Sequence, residues 1–268
     1  MTHTMPQTKS VELATGLRLH YVEQGEPGGR PIVMLHGWPD SWFTFSRVLP
    51  HLDARYRVYA LDQRGFGESD KTASSHMIDD FAADVTAFLD AVGEARATIV
   101  GHSFGTFVAR RVAELDPERV DALVLIGTAV SAVNDVTREV SGELANLPDP
   151  VPEAFAREFQ ESTVHAPVPP EFFDQIIVET LKLPSPLWAA TFDAMFAFDD
   201  REMLPRLTAP TLLVWGDHDG LFSRADQDAL LSLLPNAQLV VYDDTGHCPN
   251  GERPDRVAAD VDEFLREH

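Results

Sequence analysis

The 268-residue sequence predicts an α/β protein, a parallel sheet covered by helices on both faces. Three observations carry that expectation. Short β-rich runs alternate with stretches of helical period. The runs are continuously apolar, as strands buried on both faces must be. The balance of 44% hydrophobic and 24% charged positions is that of a globular chain, long enough to bury a core without metal or disulfide staples.

The elements follow in order. Ser10 to Leu13 and Leu17 to Val22, separated by Ala14-Thr15-Gly16, read as a hairpin. Strands are expected at Pro31 to His36, Tyr56 to Leu61, Ala97 to Val100 and Ala122 to Ile126. Ile78, Phe81, Val85, Phe88, Leu89 and Val92 recur at spacings of three and four, which predicts a helix with one apolar face on the sheet, ended by Gly93. A further helical run covers Thr106 to Leu115. After Gly127 the alternation stops, and no convincing strand appears until Thr211 to Trp215. The insertion between them, broken by Pro167, Pro169, Pro170, Pro184 and Pro186, reads as three to five short helices. A helix near Ser223 to Leu234, a strand at Gln238 to Tyr242 and a last helix carrying Val257, Val261, Phe264 and Leu265 complete the chain.

Composition excludes several functions. The 43 acidic residues against 21 basic ones give a net charge of -22, which repels phosphate backbones and anionic membrane surfaces, so neither nucleic acid nor membrane is expected as a partner. The single cysteine, Cys248, forms no internal disulfide and no thiolate-rich zinc site, and is expected to be a small packed side chain. Met1 to Arg30 lacks the pattern of a signal peptide, and no 18-residue apolar run is present, so a cytoplasmic protein is the expectation.

The chemistry concentrates in four loops. Gly101-His102-Ser103-Phe104-Gly105 stands between a strand and a helix, where a sharp turn flanked by small residues holds the serine hydroxyl above the sheet. A serine hydroxyl needs a base to take its proton and a carboxylate to orient that base. His247, in the loop after the last strand, is the expected base. His3 and His268 are terminal, His51, His76 and His165 lie in helical or polar surroundings, and His102 is expected to support the turn. For the acid, Asp219 is favoured over Asp217 in Gly216-Asp-His-Asp-Gly220, because it must reach back toward His247 while Asp217 is better placed to bind the turn's own amides. Two fixed donors are needed for a developing oxyanion, and the backbone amides of Phe104 and of Trp38, in His36-Gly-Trp-Pro-Asp40, are the candidates.

These motifs, together with Asp62-Gln-Arg-Gly-Phe-Gly-Glu-Ser69, resemble the α/β-hydrolase fold superfamily over essentially the whole length. The resemblance implies an eight-stranded, mostly parallel sheet with an antiparallel second strand and helices on both faces. It implies a core of residues 1–128 and 207–268 and an inserted helical cap of residues 129–206. It also makes Trp38-Pro39 a candidate cis bond. The HGWPDSW segment is similar to epoxide hydrolases and haloalkane dehalogenases, but those attack with aspartate where this chain has Ser103. The tyrosines that epoxide hydrolases carry in the cap are absent from this insertion, and Phe104 stands where a dehalogenase has Trp. The resemblance therefore implies a serine hydrolase, esterase- or lactonase-like, acting on a small-molecule ester or lactone through an acyl-serine intermediate. No step calls for a metal or cofactor, and no metal-ligand spacing is visible. Alternatives are a carbon–carbon bond hydrolase of β-diketone-like substrates, cofactor-free peroxyacid formation, or a non-catalytic ligand-binding member of the fold. Eight of the 24 aromatics lie in residues 155 to 198; Trp188, Phe192 and Met195 are the pocket candidates, and at least half of the aromatics are expected only to pack the cap.

Overall fold

A computed structural model of the chain describes residues 6–72 and 75–268. His3 and the first five residues of the segment scanned for a leader lie outside the described residues. The hairpin is present as β1 (Gln7–Glu12) and β2 (Arg18–Gly25), with Gly16 at φ 79 in its turn. There follow β3 (Arg30–Leu35), β4 (Tyr56–Leu61), α1 (Ile78–Val92), β5 (Ala97–His102), α2 (Phe104–Leu115) and β6 (Val120–Ile126). The insertion carries α3 (Asp135–Leu144), α4 (Glu153–Thr163), α5 (Pro170–Thr180) and α6 (Ser185–Ala197). The chain closes with β7 (Thr211–Gly216), α7 (Arg224–Leu233), β8 (Ala237–Tyr242), α8 (Pro249–Glu252) and α9 (Pro254–Glu267). The helix after β5 starts at Phe104, two residues earlier than periodicity suggests, because Gly105 belongs to its first turn rather than to a loop.

Among the described residues the strands form one eight-stranded sheet in the order β1-β2-β4-β3-β5-β6-β7-β8. β2 runs antiparallel to β1 and β4, and every later pair is parallel. The central strands are buried on both faces, which explains their unbroken apolar sequences. Val33, Leu35 and Ile99 point to the layer that holds α1 and α2, while Ile32, Met34 and Val100 point to the layer that holds α9. α9 buries Val257, Val261, Phe264 and Leu265, the face its spacing marked.

Among the described residues the insertion shares its core with the main sheet. Leu144, Ala156, Leu183, Trp188 and Phe192 belong to the same apolar cluster as α1, α2 and one sheet face. Its two ends are fastened by Arg110 of α2, fully buried, which donates to the Ala129 carbonyl at 2.7 Å and pairs with Asp200 at 2.8 Å. Among the described residues no helix is long and apolar enough to cross a membrane.

Candidate active site

β5 and α2 are separated by one residue, Ser103, at φ 49 and ψ -116, a backbone conformation that costs a non-glycine residue energy and persists only when its surroundings impose it. The neighbours impose it by close approach. A Cβ on Gly101 would stand 2.4 Å from the Gly105 carbonyl oxygen, and one on Gly105 would stand 2.2 Å from that of Leu35. A Cβ on Gly37 would meet Ser103 Cβ at 3.1 Å and His102 Nδ1 at 2.9 Å, so the loop after β3 lies directly against the serine. Within that loop His36 is locked: its Nε2 accepts the Gln63 amide at 3.1 Å, which leaves Nδ1 to donate to the Gly37 carbonyl at 2.8 Å. Burial pushes His36 down to about 4, so the ring stays neutral. The amides of Trp38 and Phe104 donate to no acceptor among the described residues, and the Trp38-Pro39 bond is cis.

His247 follows β8 and sits beside Ser103 in the wall of one cavity. Its Nδ1 lies 2.9 Å from Asp219 Oδ2, and its Nε2 is buried with no hydrogen-bond partner among the described residues. Its main chain is held from two sides, its amide donating to the Thr163 carbonyl and its carbonyl lying 3.1 Å from His102 Nε2. Burial pushes His102 down to about 3, so it supports this turn as a neutral ring. Asp219 Oδ1 accepts the Leu221 and Phe222 amides at 2.8 and 3.0 Å. Burial alone would raise this carboxyl, but the attraction of His247, its hydrogen bond and the two amides hold it below the ordinary carboxylate range. The turn's own amides therefore bind Asp219, the work the sequence assigned to Asp217. Asp217 instead accepts the Thr245 amide at 3.3 Å and lies partly exposed.

Phe192 and Met195 line the cavity, with Thr137, Val140, Phe159, Gln160 and Thr163. Trp188 does not. It is fully buried behind Trp38, whose indole N–H donates to the Trp188 carbonyl at 3.2 Å and whose ring lies 5.1 Å away. Cys248 is a packed wall residue, and burial pushes its thiol well above its usual range.

Sequence reasoning missed two carboxyls. Asp40 is buried in the cavity wall, accepts from Gln160 Nε2 at 2.7 Å, and is pushed up to about 7, mainly by burial. Its signal is its place directly after Pro39 in the HGWPD segment. Glu252 accepts the amides of Gly246, His165 and Ala166, which pins the His247 loop to the insertion. No local pattern announces that role, because its partners lie on two distant loops.

The sequence model of the alpha/beta hydrolase fold family matches residues 30–254. The chain is 29% identical to the AB hydrolase superfamily protein YfhM of Bacillus subtilis, over 94% of this chain and 95% of that protein. It is 28% identical to a non-heme chloroperoxidase of Streptomyces lividans, over 96% and 99%. An esterase structure from Exiguobacterium antarcticum superposes with a TM-score of 0.87 at 20% identity, over 97% of this chain and all of that one, a likeness of fold.

Proposed function

Since this chain belongs to the alpha/beta hydrolase fold family, we propose that it is a serine hydrolase of carboxylic esters or lactones, with Ser103, His247 and Asp219 as its catalytic triad. The observation that carries the reading is Ser103 at a strained strand-to-helix turn, in one cavity with a histidine whose other ring nitrogen is bound to a buried carboxylate. The residues divide into a hydrolase core, 1–128 and 207–268, and a helical cap, 129–206, whose four helices lie between β6 and β7.

In the acylation step Ser103 Oγ attacks the carbonyl carbon while its proton passes to His247 Nε2. The oxyanion is held by the Trp38 and Phe104 amides, and His247 returns the proton to the leaving alkoxide. Water then attacks the acyl-serine by the same route, His247 taking its proton and giving it back to Ser103 Oγ as the acid departs. Asp219 fixes the proton on Nδ1, so Nε2 is the basic nitrogen, and stabilises the imidazolium. The unpaired Nε2 is the site where the serine proton arrives; such bonds tighten when substrate is bound.

The test is hydrolysis of a panel of p-nitrophenyl esters and simple lactones by wild type beside Ser103→Ala. Loss of turnover by about 10⁴-fold or more supports the reading, and turnover retained by the variant overturns it. The similarity to a chloroperoxidase favours a second reading, peroxyacid formation at the same acyl-serine. Peroxide- and acetate-dependent bromination of a reporter dye, lost in Ser103→Ala and exceeding ester hydrolysis, would favour it. A folded protein inactive in both assays returns weight to carbon–carbon bond hydrolysis or ligand binding.

A further inference from the structure

Outside the cavity, three side chains from distant loops meet at the surface where the insertion joins the core. His165 follows α4, His218 lies between Asp217 and Asp219, and Asp244 follows β8. One donor atom from each lies within 4.8 Å of the others, and His165 Nε2 stands 3.1 Å from Asp244 Oδ1. The two imidazoles are stacked, their ring centroids 3.8 Å apart and their planes 1° from parallel.

We propose that His165, His218 and Asp244 form a site for a divalent transition-metal ion of the zinc class, bridging the insertion to the loops that carry Asp219 and His247. Two imidazoles and one carboxylate are a donor set that zinc accepts, with water completing the tetrahedron. Ligand bonds of about 2.0–2.2 Å require the donors to close by roughly 1 Å, with one ring turned out of the stack. The side chains are 41%, 51% and 77% exposed, so solvent-facing rotations suffice. Asp217 Oδ1, 4.0 Å from His218 Nε2, is a further carboxylate at the rim. The charge of -22 draws cations to this surface. The competing cation, Arg253, faces the other carboxylate oxygen of Asp244 at 3.8 Å, which leaves Oδ1 to the histidines.

The site is placed to stiffen the loops below it. Asp244 is three residues before His247, His218 directly precedes Asp219, and His165 is two residues after Thr163, whose carbonyl receives the His247 amide. A bound ion would therefore fasten the insertion to both loops. This proposal is independent of which reaction the cavity performs.

Titration of the metal-free full chain with zinc chloride, followed by calorimetry, tests it. The expected result is one ion per chain with micromolar dissociation, weakened at least about tenfold in each of His165→Ala, His218→Ala and Asp244→Asn and unchanged in His51→Ala, a distant exposed histidine. A hundredfold excess over the dissociation constant should raise the wild-type melting temperature by about 5 °C, and should not do so in His165→Ala/His218→Ala. All three side chains are exposed, and circular dichroism of each variant establishes that it is folded. No saturable zinc binding up to millimolar concentration, or binding untouched by the three substitutions, overturns the site.

Discussion

The cavity has two unlike walls. The core side is backbone geometry: Ser103, His247 and the Trp38 amide stand on turns held by glycine close approaches and by hydrogen bonds to buried atoms. The insertion side is side-chain packing: Val140, Phe159, Phe192 and Met195 reach inward from helices, and Gln160 is the main polar exception. The difference teaches where each property resides. Reacting groups need positions fixed to fractions of an ångström, which a sheet edge supplies. An apolar wall can exchange methylenes, each worth about 0.8 kcal/mol, while leaving those positions alone.

The contrast breaks most sharply at Asp219. Asp219→Asn keeps an oxygen for the Leu221 and Phe222 amides but presents an N–H toward His247 Nδ1, so kcat should fall by about 10³–10⁴-fold with melting temperature little changed. Steady-state kinetics beside a melting curve checks this. On the insertion side the opposite is expected of Trp188→Ala. It should cost about 3–5 kcal/mol of stability in urea denaturation, because a fully buried indole leaves a cavity beneath Trp38, and should alter acyl-length preference less than a true lining change does.

Asp40 belongs to neither wall cleanly, and it sharpens the comparison through pH. Burial pushes its folded carboxyl up to about 7, above the unfolded value, so its stabilising contribution is full below the unfolded value and is lost as pH rises through the folded one. Asp40→Asn should therefore gain stability relative to wild type between pH 4 and pH 8, by about 4 kcal/mol, read from denaturation at both pH values. Smallest is Met195→Ala. It should shift the ratio of kcat/KM for long against short acyl esters by about tenfold and leave the pH profile unmoved.

Much of the core was legible because its signals are local. Each strand carries its own apolar run, and Ser103, Asp219 and His247 each follow a strand within three residues of Gly101, Gly216 or Gly246, where a Cβ would run into neighbouring backbone. The insertion was legible only as helices. α6 carries apolar residues nearly all round, including Leu187, Trp188, Phe192, Met195 and Phe196, so its period could not say which face meets the cavity. For that reason the spacing does not separate Trp188, which lies behind the wall, from Phe192 and Met195, which line it. Arg110 with Asp200, Glu252 with its three amides, and the His165, His218 and Asp244 group depend on approaches between distant residues, which no single stretch records.

The Arg110 fastening limits how freely the insertion can be exchanged between proteins. A foreign segment grafted between β6 and β7 without an acid at the place of Asp200 would strand a guanidinium in a dry interior, at about 3–5 kcal/mol. Transplants that carry Asp200 along, or replace Arg110 with methionine at the same time, should be tolerated far better. The splice point for a chimera is thus set by a charge in α2 rather than by the ends of the inserted helices.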